Sequence, residues 1–96
     1  MRIRFTPSAH REFLSALAYI RRDDRMAAAR FRKRAEEVLR RLEKHPESGR
    51  SLPEFPELPH REVIVRPYRF FYRLRAQTIW IVAVWHGAQD VKTPTE

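Results

Sequence analysis

The chain contains no cysteine, which excludes disulfides, thiolate zinc sites and cysteine nucleophiles together. Glycine is nearly as scarce, with two residues in 96, so no glycine-rich loop is present to cradle a phosphate. Lysine occurs only at Lys33, Lys44 and Lys92, and arginine carries nearly all the positive charge. No apolar run approaches the roughly 20 residues that cross a bilayer. The opening residues MRIRFTPSAHREF lack the hydrophobic segment of a secretory signal, so a cytoplasmic protein with no membrane role is expected. The four histidines (His10, His45, His60, His86) stand at no ligand spacing, and neither a metal nor another cofactor is expected. There is no internal repeat and no low-complexity tract.

A composition of 43% hydrophobic and 33% charged residues over this length suits one folded domain with one core. Residues 1–90 are expected to form that domain, with 91–96 a loose tail that has little to bury. A formal charge of +8 implies attraction to a polyanion, either nucleic acid or an acidic protein.

The order of elements reads strand, helix, helix, loop and three strands. Arg2 to Phe5 is a short strand, and Thr6-Pro7 is a helix entrance, with a threonine cap and proline in the first turn. Phe13, Leu14, Leu17 and Ile20 recur at helical spacing, with Arg11, Glu12 and Ser15 off that stripe. Asp24 caps a second helix whose apolar side is Ala28, Phe31, Ala35, Val38, Leu39 and Leu42, and His45 before Pro46 ends it. A short connection makes the two helices an antiparallel hairpin. Opposite charges at i,i+4, such as Arg32 with Glu36, read as a solvated face. Residues 46–60 are rich in proline and form an irregular loop. Strands follow at about Arg61 to Arg66, Arg69 to Leu74 and Thr78 to Trp85, the last two joined by a short hairpin link at Arg75-Ala76-Gln77.

Two helices cover one face of so small a sheet, which leaves the other face open. In the run RPYRFFYRLR, period-two alternation places Arg69, Phe71, Arg73 and Arg75 on that open face and Phe70, Tyr72 and Leu74 on the core face. The final strand is apolar on both sides, as a covered central strand or a face awaiting a partner would be. Strict alternation puts Trp80 and Trp85 on opposite sides. Tyr72 reads as core with its hydroxyl satisfied at an edge. Arg69 reads either as a functional cation or as the ion-pair partner of Glu54 or Glu62 that fixes the loop.

Over nearly its whole length the chain resembles the RelE/ParE superfamily of bacterial type II toxins. The resemblance is carried by the first strand, the helical hairpin, GRSLPEF at Gly49 to Phe55, REVIV at Arg61 to Val65, YRFFYR at Tyr68 to Arg73, and the apolar strand ending in His86. It implies an α+β fold of order β-α-α-β-β-β, with the hairpin on one face of a small antiparallel sheet. It also implies a growth-inhibiting toxin, of the kind associated with plasmid stabilisation, held inactive in a hetero-oligomer with a cognate acidic antitoxin.

The superfamily divides into RelE-like ribosome-dependent mRNA endonucleases and ParE-like DNA gyrase inhibitors. RNA cleavage requires a base, an acid and cations at the phosphorane. Here Glu54 or His86 would serve as base or acid, with Arg69 and Arg73 as the clamp. Arg69 matches the arginine that the nucleases keep on this strand. The sheet region has no lysine, and His86 is followed by Gly87, Ala88 and Gln89 with no tyrosine. The ending His-x-x-x-Asp, His86 to Asp90, is closer to the ParE side. The preferred reading is a gyrase-binding toxin without catalysis of its own. The alternative is an endoribonuclease acting on the ribosome and mRNA, and the third reading is a small basic nucleic-acid-binding module. Contacts with antitoxin or target are expected at Arg66, Arg69, Phe71, Arg73, Arg75, Trp80 and His86, although His86 at a strand end reads more readily as a hydrogen-bonded structural residue than as a general acid.

Overall fold

A computed structural model describes residues 1–87, 92–94 and 96. Strand β1 (Arg2–Phe5) leads into helices α1 (Pro7–Asp23) and α2 (Arg25–Lys44), followed by β2 (Arg50–Ser51), β3 (Arg61–Val65), β4 (Tyr68–Arg75) and β5 (Thr78–His86). The strands form one sheet in the order β1-β5-β4-β3-β2. The α+β layout is therefore the one the sequence implies, with two differences. The sheet is mixed, because β1 runs parallel to β5, and a two-residue strand in the loop adds a fifth member.

Local chemistry sets the helix ends. Thr6 Oγ1 accepts from Ala9 N at 3.2 Å, and Asp24 Oδ1 accepts from Met26 N at 2.9 Å and Ala27 N at 3.1 Å, satisfying amides that have no partner within the helix. The apolar side of α2 is as expected, with Ala28, Phe31, Ala35 and Leu42 buried. On α1, Phe13, Leu17 and Ile20 pack on the core as expected, with Ala9 and Ala16 buried beside them, whereas Leu14 is half exposed. Glu12, off the expected stripe, points to the sheet. Its carboxylate accepts from Val84 N and Trp85 Nε1, both at 2.9 Å. β1 pairs with β5 only as far as Ile81, so this carboxylate serves the β5 edge beyond β1.

The principal core lies between hairpin and sheet and contains Phe31, Phe70, Tyr72, Ile79, Ile81 and Val84. A second cluster, Leu52, Phe71, Val82 and Ala83, lies on the opposite face, with Phe55, Trp80 and Trp85 packed against it. Its composition follows from a β-bulge. Phe71 pairs with Ala83 but Tyr72 pairs with Ile81, leaving Val82 as the extra residue. The bulge shifts the alternation of β5 by one, and so Trp80 and Trp85 share a face, contrary to strict period two. Leu74, expected in the core, is exposed at the end of β4. The β4–β5 turn holds Ala76 at φ 49° and Gln77 at φ 65°. Both central residues are left-handed, as a two-residue hairpin of matching twist requires, without the usual Asn-Gly.

The loop at 46–60 is fastened where Gly49 meets Tyr72. The Tyr72 hydroxyl donates to Pro46 O at 2.7 Å and accepts from Gly49 N at 3.0 Å. A Cβ at position 49 would lie 2.6 Å from Tyr72 Oη and 2.7 Å from Glu62 O. Tyr72 is fully buried and cannot swing aside. Gly49→Ala is accordingly expected to lower stability by about 1–3 kcal/mol, measured as a fall in the urea midpoint at unchanged slope.

Candidate functional site

The sheet face away from the helices is not open along its whole width. Over β3 and β4 it is covered by the 46–60 loop, and Phe71, expected on the surface, is fully buried beneath Leu52. Over β5 and the end of β4 it remains accessible, with Arg75 exposed and Arg73, Trp80 and Trp85 half-buried.

Arg69 is the centre of the covered half. Its Nη1 and Nη2 donate to Glu54 Oε2 and Oε1, each at 2.9 Å, and its Nε donates to Glu62 Oε1 at 2.7 Å. The guanidinium lies 4.9 Å from the centre of the Phe71 ring. Arg50 Nε supplies the second partner of Glu62. The Glu62 side chain is 0% exposed and that of Arg69 is 10% exposed. Both sequence alternatives for its partner, Glu54 and Glu62, are thus realised at once. A buried carboxylate is tolerated where its charge is paired and its oxygens are hydrogen-bonded, conditions that the two arginines meet here.

The hydrogen bond from Arg69 is the main influence on Glu54 and holds its carboxyl below the ordinary value of 4.5. The same bond, supported by Glu62, raises the pKa of Arg69 above its ordinary value. A depressed folded-state pKa means stability that is fully present above the unfolded value and is lost as pH falls through the folded one. The stability difference between the native chain and Glu54→Gln is therefore expected to be constant above about pH 5 and to shrink towards zero below 4.5. Urea denaturation of both proteins between pH 7 and pH 3 measures it. The Glu54 side chain is 38% exposed, so the effect is modest.

His86 lies on the other side of the sheet. Its ring stands edge-on to Tyr68 at 5.4 Å, and it lines a cleft of about 450 Å³ with Arg11, Glu12, Tyr19 and Tyr68. Burial, with Tyr19 nearby, pushes the Tyr68 hydroxyl pKa up. Arg66 is exposed at the β3–β4 turn and lines a different cleft with Asp23, Asp24 and Arg34. The residues singled out in the sequence therefore fall in four places: Arg69 and Phe71 under the loop with Glu54 in it, Arg73, Arg75 and Trp80 on the accessible half, His86 on the helix side, and Arg66 at the turn. Asp90, the last member of the His-x-x-x-Asp ending, lies outside the described residues.

The sequence reading missed three residues. Glu12 sits among charged residues on a helix and carries no local mark of its inward contact. Arg50 looks like any loop arginine. His60, 4% exposed, precedes a strand in a segment rich in proline, and its pKa is lowered chiefly by burial. Among the described residues, no helix is long and apolar enough to cross a membrane.

A family model described as the ParE toxin of the type II toxin-antitoxin system, parDE, matches residues 3–91. The search of curated proteins found no match. The matched span runs from the first strand to beyond the last, and the chain belongs to the ParE toxin family, the toxin half of a type II toxin–antitoxin pair.

Proposed function

We propose that the protein inhibits growth in the cytoplasm by binding DNA gyrase and stabilising its cleaved DNA complex, without catalysing a reaction itself, and that an acidic antitoxin neutralises it. The observation that carries this reading is that the candidate nuclease residues are not gathered at one point. Arg69 and Glu54 neutralise each other under the loop, while His86 lies against Tyr68 on the opposite face. A phosphorane needs its base, acid and cations around one atom. Here the candidate base is bound to one arginine of the clamp, Arg73 lies apart on the accessible half, and the remaining candidate acid is on the helix side of the sheet. A non-catalytic toxin acts by surface complementarity, and the accessible half of the sheet face offers tryptophan and arginine, residue types that anchor protein interfaces.

Induction in cells is expected to raise the DNA-damage response and change plasmid supercoiling while leaving transcripts on translating ribosomes uncut. With purified gyrase, the protein is expected to accumulate cleaved DNA in proportion to its concentration. Transcript cleavage at ribosomes with unchanged supercoiling would establish the endonuclease reading instead.

A further inference from the structure

The apolar side of α2 is spent on the core, and its opposite side faces solvent. Over its 20 residues α2 contains neither proline nor glycine, so it is one unbroken rod. At about 3.6 residues per turn, Arg30, Lys33, Arg34, Arg41 and Lys44 fall within about a third of its circumference, and all of them are exposed. Glu37 is the one carboxylate of α2 in that arc, and from Arg30 onward no apolar side chain interrupts it. The opposite charges expected at i,i+4 lie on another flank of the helix, where Arg32 meets Glu36 at 3.7 Å.

Arg30 stands 4.0 Å from Asp24, at the N-terminal end of the stripe. The other four cations are paired with no carboxylate among the described residues. Arg34 Nη2 donates instead to Arg66 O at 3.0 Å, which ties the stripe to the β3–β4 turn and brings the exposed Arg66 beside it. Like charges three and four positions apart on a helix repel each other, so this face gains from a polyanion laid along it.

The chemistry of the stripe selects among polyanions. A protein interface is anchored by aromatic and apolar groups and is poor in lysine, and single-stranded nucleic acid is held by stacking on aromatic rings. From Arg30 onward the stripe offers neither. It offers a rigid row of cations about 21 Å long from Arg30 to Lys44, a length over which one strand of a duplex presents about six phosphates.

We propose that the outer face of α2, with Arg66 at its edge, docks the phosphate backbone of a nucleic-acid duplex without reading its sequence. The docking does not depend on the gyrase reading, under which it supplies a contact to the DNA that gyrase holds.

The test uses the full chain with a DNA duplex of about 20 base pairs, an RNA duplex and a single strand of the same sequence, titrated by fluorescence anisotropy between about 50 and 200 mM salt. At least one duplex is expected to bind about 5-fold or more tightly than the single strand, and the tighter duplex identifies the source of the backbone. Lys33→Gln with Arg41→Gln is expected to weaken duplex binding about 10-fold or more and to reduce its logarithmic salt dependence by about 2. Arg25→Gln with Arg32→Gln removes the same charge from another flank of α2 and is expected to change affinity less than about 3-fold. Glu37→Gln is expected to tighten binding about 3-fold, whereas Glu43→Gln, off the stripe, leaves it unchanged. All of these side chains are exposed and glutamine is a good helix former, so the variants keep the fold. Equal losses in the two double variants would mean attraction by net charge alone and overturn the proposal. Tighter binding of the single strand, or no duplex binding at the lowest salt, would overturn it as well. Failure here with gyrase poisoning intact removes the α2 surface alone, and failure of gyrase poisoning with duplex binding intact removes the functional reading alone.

Discussion

Replacing Arg69 with alanine is expected to lower the free energy of unfolding by about 3–5 kcal/mol, measured by urea denaturation near neutral pH. The substitution leaves the Glu62 carboxylate fully buried with one remaining partner, Arg50, whose side chain is 63% exposed. It also frees Glu54 and removes the cation from the Phe71 ring, so the loop loses its main electrostatic attachment to β4. A domain of this size has a total stability of about 5–15 kcal/mol, so the variant would be largely unfolded at the low end of that range. The paired replacement Arg69→Met with Glu62→Leu is expected to be clearly more stable than Arg69→Ala, because it removes both buried charges instead of stranding one. If the double variant were the less stable of the two, the stranded-charge explanation would be wrong. This comparison bears on function as well. Loss of growth inhibition in Arg69→Ala would follow from low abundance and is no evidence of catalysis. A folded double variant that still inhibits growth would show that the guanidinium has no chemical role.

Phe31→Ala is expected to have an effect of similar size, about 3–5 kcal/mol, through a different mechanism. Phe31 is 1% exposed and is the point where α2 meets α1 and the sheet. Its ring centre lies 6.2 Å from that of Phe13, 5.4 Å from Tyr68 and 6.4 Å from Phe70. Removing it opens a cavity among three rings that are themselves held by backbone in regular elements, so the site can collapse only slightly. Phe31→Leu, which keeps most of the volume, is expected to lose less than half as much. The midpoint shift in thermal or urea denaturation measures both. A loss below 2 kcal/mol for the alanine variant would mean that the hairpin can resettle on the sheet, contrary to the tight packing seen here.

The legibility of the fold in the sequence was uneven, for physical reasons. Thr6 and Asp24 marked the helix starts because capping is a contact over two or three residues, which a linear pattern displays directly. The apolar stripe of α2 was clear because Phe31, Val38, Leu39 and Leu42 recur at helical spacing in line with Ala28 and Ala35. That of α1 held for Phe13, Leu17 and Ile20 but not for Leu14, which faces solvent, and it omitted Ala9 and Ala16, which are most deeply buried but too small to stand out. β1 was found, but its parallel pairing with β5 joins residues more than seventy positions apart and leaves no local trace. In the candidate site, Glu54 or Glu62 was already named as a partner of Arg69 that would fix the loop, because an arginine on that face needs water or a carboxylate. That both bind it together, with Arg50 beyond, depends on the path of the loop.

RPYRFFYRLR and the strand after it defined the character of this protein without coordinates. Their alternation pointed to a sheet with one apolar face and one face carrying arginines, and the net charge led to the expectation of an acidic partner. Only the tertiary structure decided which of those arginines are available. The loop closes over β4, and its Glu54 together with Glu62 of β3 engages Arg69, which leaves Arg73 and Arg75 on the accessible half beside Trp80. A one-residue bulge at Val82 then brings both tryptophans to that face. Alternation is a property of one strand and is written in its sequence. A bulge and an ion cluster are properties of segments that meet only after folding, and their free energy arises from partners that no local window contains.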